Sequence, residues 1–237
     1  MGKVMWKPGT FLYPIPAVMV SCGDMEKSNI ITVAWTGIIN TNPPMVYVSV
    51  RPTRYSYELI KASGEFVINL TNERLAYATD WCGVKTGAKV DKFKEMKLSK
   101  EKAEFVSCPM IQQSPISIEC RVKEEKYLGS HTMFIAEVLA IHVKEEYIGE
   151  TGAFDISKCN LIAYANGGYY TLDKKIGKFG YSVAKKKKNN SKDRILKVKE
   201  EEIKRKKKER NIKKKKANKK KKEKEKEEKN KRHSIIK

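Results

Sequence analysis

Residues 29–60 read NIITVAWTGIINTNPPMVYVSVRPTRYSYELI, and this stretch decides the fold. Two runs rich in β-branched and aromatic residues flank Pro43 and Pro44, the pattern of two strands joined by a turn. In the second run Met45, Tyr47 and Ser49 alternate with Val46, Val48 and Val50, so a period of two puts three valines on one face. Pro52 then directs the chain out of the strand. A helix is predicted over residues 55–62, with Thr53 as its N-cap and Gly64 as its stop. Arg51, Thr53, Arg54 and Ser56 crowd this strand-to-helix junction. The open N–H groups and dipole of a helix start favour an anion, and these side chains add donors of the kind that hold a phosphate monoester. A capped helix with solvated arginines would use the same residues without a ligand.

Outward from this stretch the chain continues as strands. IPAVMVSCGD ends in a Gly-Asp turn signal, NIITVAWTGIIN reads as its partner strand, and EFVINL is a further short strand. Residues 72–81 read as a helix capped by Thr71 or Asn72. SPISIECRVKEEKYLG and HTMFIAEVLAIHVKEEY make a hairpin around Leu-Gly-Ser, and NLIAYANGGYYTL supplies one last strand with a Gly-Gly turn. Many short strands with few helices, and no βαβ alternation, predict a mainly β fold: an antiparallel split barrel with helical insertions.

The formal charge of +22 is not spread along the chain. Residues 183–237 hold 28 Lys/Arg against 9 Asp/Glu, which leaves the first 182 residues with a net +3. The organisation expected is therefore one globular domain over residues 1–184 and a low-complexity Lys/Glu-rich tail over 185–237. About 180 residues suffice for one core burying roughly 70% of the unfolded surface. The tail has too few apolar residues for a core and reads as a disordered or solvated helical segment. Its residue types are those of A-rich codons, as a translated A-rich stretch without a role would give. The rival reading is an arm that binds nucleic acid or another polyanion through counterion release. Five cysteines form no C-x-x-C and no metal spacing, so they read as buried thiols in a reducing compartment. The opening MGKVMWKPGTF lacks a signal-peptide pattern, and no apolar run approaches membrane-helix length; the expectation is a soluble, cytoplasmic protein.

TVAW, residues 32–35, puts a hydroxyl, a small residue and an indole on a strand beside VSVR. A planar heteroaromatic ring needs a flat apolar wall with donors along its edge, which two such strands offer. With YPIPAVMVS, FVINL, DWCGVKTGAKVDKF, CPMIQQSPISIECRV, LGSHTMFIAEV and IGKFGYSVAKK in order around it, the stretch resembles the flavin reductase-like, FMN-binding split β-barrel family, especially its flavoredoxin branch. The resemblance spans about residues 7–184. It implies noncovalent FMN and a homodimer with the flavin near the subunit interface. Carried onto matching positions, it makes Thr32, Ala34 and Trp35 ring contacts and brings Ser49 and Val50 to the flavin edge. Arg51 and Ser56 would hold the phosphate, with Thr53 or Tyr55 beside them. Thr86 and Lys92 in KTGAKVDKF become phosphate or partner-subunit contacts, and His131 matches a family histidine near the cofactor. Asn69 and Tyr170 read as packing or turn residues. No catalytic side chain is assigned, because flavin chemistry does not require one.

The function this implies is a flavoprotein oxidoreductase that relays hydride or electrons from NAD(P)H or a protein donor to a flavin, iron or protein acceptor. A non-catalytic FMN-binding protein, and a barrel tethered to polyanions by its tail, are the alternatives. CGVKTGAKV falls one residue short of a Walker A loop and lacks the Ser/Thr after the lysine. No G-x-G-x-x-G is present, which leaves NAD(P)H able to act by stacking directly on the flavin. Zinc and G-x-S-x-G motifs are also missing, so no metal is expected.

Overall fold

The computed structural model describes residues 2–172 and 174–184. The first strands are β1 (Ile15–Pro16), β2 (Val18–Gly23), β3 (Ser28–Val33), β4 (Thr36–Asn40) and β5 (Met45–Val50). Then come α1 (Tyr55–Ser63), β6 (Glu65–Leu70), α2 (Ala76–Val84), α3 (Lys92–Glu95) and the short pair β7 (Lys100–Glu101) and β8 (Met110–Ile111). The long strands β9 (Ile116–Tyr127) and β10 (Thr132–Val143) precede β11 (Ile162–Ala165) and β12 (Gly168–Thr171). Seven strands form one curled antiparallel sheet in the order β3-β2-β6-β9-β10-β5-β4, and β1-β11-β12 form a smaller sheet. The expected split barrel with helical insertions is what the chain builds. Its compact unit is Met1–Lys174, ten residues short of the boundary the composition suggests. The Lys-rich tail from residue 185 lies outside the described residues.

The alternation along β5 decides the packing. Val46, Val48 and Val50 are buried and meet Val18, Val20, Phe66 and Phe134 in the main core, while Met45, Tyr47 and Ser49 are half-buried on the other face. A second cluster seats α2 and α3 against β2 and β3 through Met19, Ile30, Ala78, Cys82 and Phe93. All five cysteines are buried and unpaired. Among the described residues no helix is long and apolar enough to cross a membrane.

Three local expectations are corrected. NIITVAWTGIIN is two strands: β3 pairs with β2, the chain breaks at Ala34 and Trp35, and β4 pairs with β5. The break lets one segment serve both ends of the sheet, and the Thr36 hydroxyl fixes the new partner by donating to the Tyr47 carbonyl at 2.6 Å. NLIAYANGGYYTL is also two strands, because Asn166 (φ 44°) and Gly167 (φ 88°) take left-handed conformations that reverse the chain. Thr53 does not cap α1. Arg54 N–H bonds back to the Arg51 carbonyl, so Thr53 sits inside a turn and Arg54 holds the N-cap position without a side-chain cap. Gly64 does end the helix, at φ 66° with its N–H on the Ile60 carbonyl.

One buried charge ties a loop to the sheet. Glu119 on β9 is fully buried. Its carboxylate accepts the backbone N–H groups of Glu104 (2.9 Å), Phe105 (2.6 Å) and Val106 (3.0 Å), and lies 2.5 Å from His142 Nε2. Burial pushes its pKa up, but these donors outweigh burial and hold it below the ordinary carboxylate value. Glu119→Ala strands three donors at about 1–3 kcal/mol each, so the unfolding free energy from urea titration should fall by roughly 3 kcal/mol or more. Because the folded-state pKa is depressed, the contribution is present above the unfolded carboxylate pKa. It is lost as pH falls through the folded value, and the variant's pH profile should lack that acid limb.

Candidate functional site

The break between β3 and β4 faces the end of β5 across one backbone hydrogen bond, from Ser49 N–H to the Trp35 carbonyl at 2.8 Å. This places TVAW beside VSVR and opens a cavity of about 420 Å³. Thr32, Ala34 and Trp35 form one wall of it, with Ser49 and Val50 alongside. The Thr32 hydroxyl donates to the Thr79 carbonyl of α2, so its proton is already committed. Val50 borders the cavity while its side chain belongs to the core. Trp35 is 40% exposed, which removes it from the core role open to a tryptophan in such a run. Its ring lies parallel to that of His131, within 2°, at a centroid distance of 6.3 Å. Tyr164 and Tyr169, register partners on β11 and β12, also border the cavity, their rings edge-on at 5.7 Å.

A second cavity of about 130 Å³ adjoins the first, sharing Ile31, Arg54 and Gly83 with it. Here the start of α1 meets the end of α2. Ser56 is buried and its Oγ accepts from Asn29 Nδ2 at 2.7 Å. The loop after α2 approaches so closely that a Cβ on Gly87 would stand 2.0 Å from Asn29 Oδ1, so only glycine leaves that amide in place. Lys92 is 4% exposed and donates to the carbonyls of Ile30 (2.7 Å) and Cys82 (2.6 Å). Burial pushes the Lys92 ammonium down to about 8 and the nearby Cys22 and Cys82 thiols up to about 11. The thiols therefore stay neutral and supply no counter-charge. Thr53 and Thr86 are exposed on the rim, with Ala88 N–H on the Thr86 hydroxyl at 3.4 Å.

The structure thus brings all eleven sequence-derived candidates to the two joined cavities, seven to the larger and Thr53, Ser56, Thr86 and Lys92 to the smaller; Arg51, expected with Ser56 at the phosphate, borders the larger one. Arg54, a donor at the junction in the sequence, borders both. Asn29, Gly83, Gly87, Tyr164 and Tyr169 escape a reading of the sequence. Asn29 carries no local signal, whereas the tyrosines could have been found by treating their segment as a hairpin with aligned aromatics. Tyr170 is exposed outside the cavity. Asn69 is structural: fully buried, it donates to Met19 O and Ser21 Oγ and accepts from Ile111 N–H and Ser117 Oγ.

Electrostatically the site is one-sided. No Asp or Glu borders either cavity, and Arg51 and Arg54 form no ion pair among the described residues. Burial lowers the pKa of His131, and the Arg51 and Arg54 guanidiniums lower it further, so its imidazole is neutral at pH 7. Its Nδ1 lies 2.9 Å from Ser130 Oγ, which fixes the ring. Arg51→Ala should move the His131 titration upward toward the ordinary histidine value, as followed by NMR of the imidazole C–H signals. An unmoved titration would mean that the arginine field does not reach the ring.

Residues 10–173 match the model of the Flavin reductase like domain family. An uncharacterised protein from Pyrococcus abyssi is 33% identical over 63% of this chain and 83% of its own length. Among solved structures, the flavoredoxin of Desulfovibrio vulgaris (Miyazaki F) is similar at 28% identity and a TM-score of 0.72, over 77% of this chain and all of that one. The flavoredoxin from Methanosarcina acetivorans is similar at 28% identity and a TM-score of 0.70, over 78% of this chain and all of that one. With the family match covering most of the compact unit, this chain belongs to the family of flavin reductase like domains.

Proposed function

We propose that the chain is an FMN-binding flavoprotein oxidoreductase, and the observation that carries this is the two-ended slot. The larger cavity presents a flat wall and the smaller one presents cationic and hydroxyl donors without a carboxylate. A three-ring flavin with a phosphate handle fits that division. Lys92 is the specific part of the fit: a buried ammonium held by two carbonyls, with neutral thiols beside it, lacks among the described residues the counter-charge that a buried ion needs. A phosphate supplies it.

Bound FMN supplies reversible two-electron chemistry at its ring. The chain's part is to bind and orient. Trp35 and Ala34 would wall the ring, Ser49 would meet its edge, and neutral His131 would offer one hydrogen bond. Arg54, Ser56 and Lys92 would hold the phosphate, with the exposed Thr53 and Thr86 on the rim. NAD(P)H or a protein is the electron donor, and a flavin, iron or protein the acceptor. Unpaired buried cysteines suit a reducing, cytoplasmic setting. Exposed Ile38 on β4 and exposed Met5, Trp6 and Leu12 in the N-terminal arm support a homodimer, which light scattering would reveal as twice 27.2 kDa.

Anaerobic mixing of the FMN-loaded chain with NADH and then NADPH tests the activity. Bleaching of the flavin band supports an oxidoreductase, and no bleaching with either makes the chain a binder or a partner-dependent carrier. Arg54→Ala, at an exposed position, should weaken FMN by about 1.5–3 kcal/mol, roughly ten- to a hundredfold in Kd, with little change for riboflavin. The Lys92 charge is present below about pH 8 and lost above it, so FMN affinity should fall as pH rises past 8. Lys92→Met should flatten that dependence. Calorimetry at several pH values checks both, and an equal pH dependence for riboflavin would remove Lys92 from the phosphate.

A further inference from the structure

The slot carries more positive charge than a phosphate monoester uses. Among the described residues Arg51, Arg54, Lys85 and Lys92 border the two cavities, and no carboxylate does. A phosphate monoester brings about −1.5 to −2 at pH 7. Three of the four cations, Arg54, Lys85 and Lys92, border the smaller cavity and suffice to neutralise it. Arg51 borders only the larger, ring-side cavity.

Its place is set by the ladder. Val50 pairs with Thr132, so the residue that follows β5, Arg51, comes opposite the residue that precedes β10, His131. The guanidinium is exposed and forms no ion pair among the described residues. The same space is lined by flat side chains: Trp35 and His131 lie parallel, and Tyr164 and Tyr169 stand at the far side, with the Tyr169 hydroxyl 3.3 Å from Asp80 Oδ1 on α2. A charged fork at the rim of an aromatic-walled space is built for a planar molecule that ends in an anion.

We propose that Arg51 is the specificity-determining residue for a second substrate, a planar organic anion that lies against the flavin and pairs its charge with this guanidinium. The proposal rests on the FMN reading above and adds to it the charge of the partner molecule. It also separates the two arginines of the junction: Arg54 serves the cofactor and Arg51 serves what reacts with it. The His131 imidazole, kept neutral by burial and by this arginine field, offers no competing charge.

The test uses the full chain loaded with FMN and two probes of the same shape, benzoate and benzamide. Each is titrated at low ionic strength while perturbation of the flavin absorption bands is followed. Benzoate should bind about fivefold or more tightly than benzamide, and added salt should shrink the difference. Arg51→Gln should remove the preference with benzamide affinity unchanged, Arg51→Lys should keep part of it, and FMN affinity should stay within about threefold of the parent's. Equal affinities, no binding of benzoate, or an undiminished preference in Arg51→Gln would overturn the proposal. So would a large loss of FMN in that variant, which would return Arg51 to the phosphate. If the parent chain takes up no FMN, the flavin reading fails first, and the two failures are distinct.

Discussion

One backbone hydrogen bond, from Ser49 N–H to the Trp35 carbonyl, joins the place where β3 gives way to β4 to the place where β5 runs out. Everything that shapes the slot depends on that junction. It stops the first strand at Val33, so that Trp35 leaves the core and stands half in solvent. It also fixes the exit of β5, from which the turn at Pro52 throws Arg51 to one cavity and Ser56 to the other. The valines of β5 anchor this arrangement from below. Their burial on one face forces Ser49 onto the other, where the cavity lies.

The second constraint is electrostatic. α1, α2 and the loop before α3 converge on a space whose charged neighbours, among the described residues, are all cations. Lys92 is bound by carbonyls of β3 and α2, so the same residue closes the packing and waits for an anion. The amide of Asn29, held against Gly87, sets the Ser56 hydroxyl in the same space. Glu119 shows the opposite solution to a buried charge. Its carboxylate is satisfied by three backbone donors and a histidine, and it needs no ligand. Under the proposed function, the contrast separates the buried ion that serves structure, Glu119, from the one that would serve binding, Lys92.

How much of this is legible in the sequence follows from the range of each signal. The alternation along residues 45–50 and the long hairpin of β9 and β10 are local periodic patterns, and they reappear as read. The strand break at Ala34 and Trp35 is not local. Nothing between Asn29 and Asn40 forbids one strand, and only the competition of β2 and β5 for the same segment divides it. Thr53 has the chemistry of a cap, but it lies inside the turn closed by Arg54 N–H on the Arg51 carbonyl, so the helix starts at Tyr55 as read while Arg54 takes the N-cap position. Asn29 and the tyrosines of β11 and β12 reach the site from 27 and more than 100 residues away from Ser56, distances over which composition carries no information. The resemblance to a family closes part of that gap, since it names positions that no periodicity connects.

The proposed complex puts the ring of a flavin against the β3–β4 break and its phosphate at the start of α1. Diffraction from crystals of the full chain grown with FMN tests it most directly. The expected result is density for a planar three-ring system along Ala34 and Trp35, with the phosphate within hydrogen-bond reach of Ser56, Arg54 and Lys92. A phosphate found elsewhere, or a slot that stays empty while the crystals take up FMN at another surface, would contradict it.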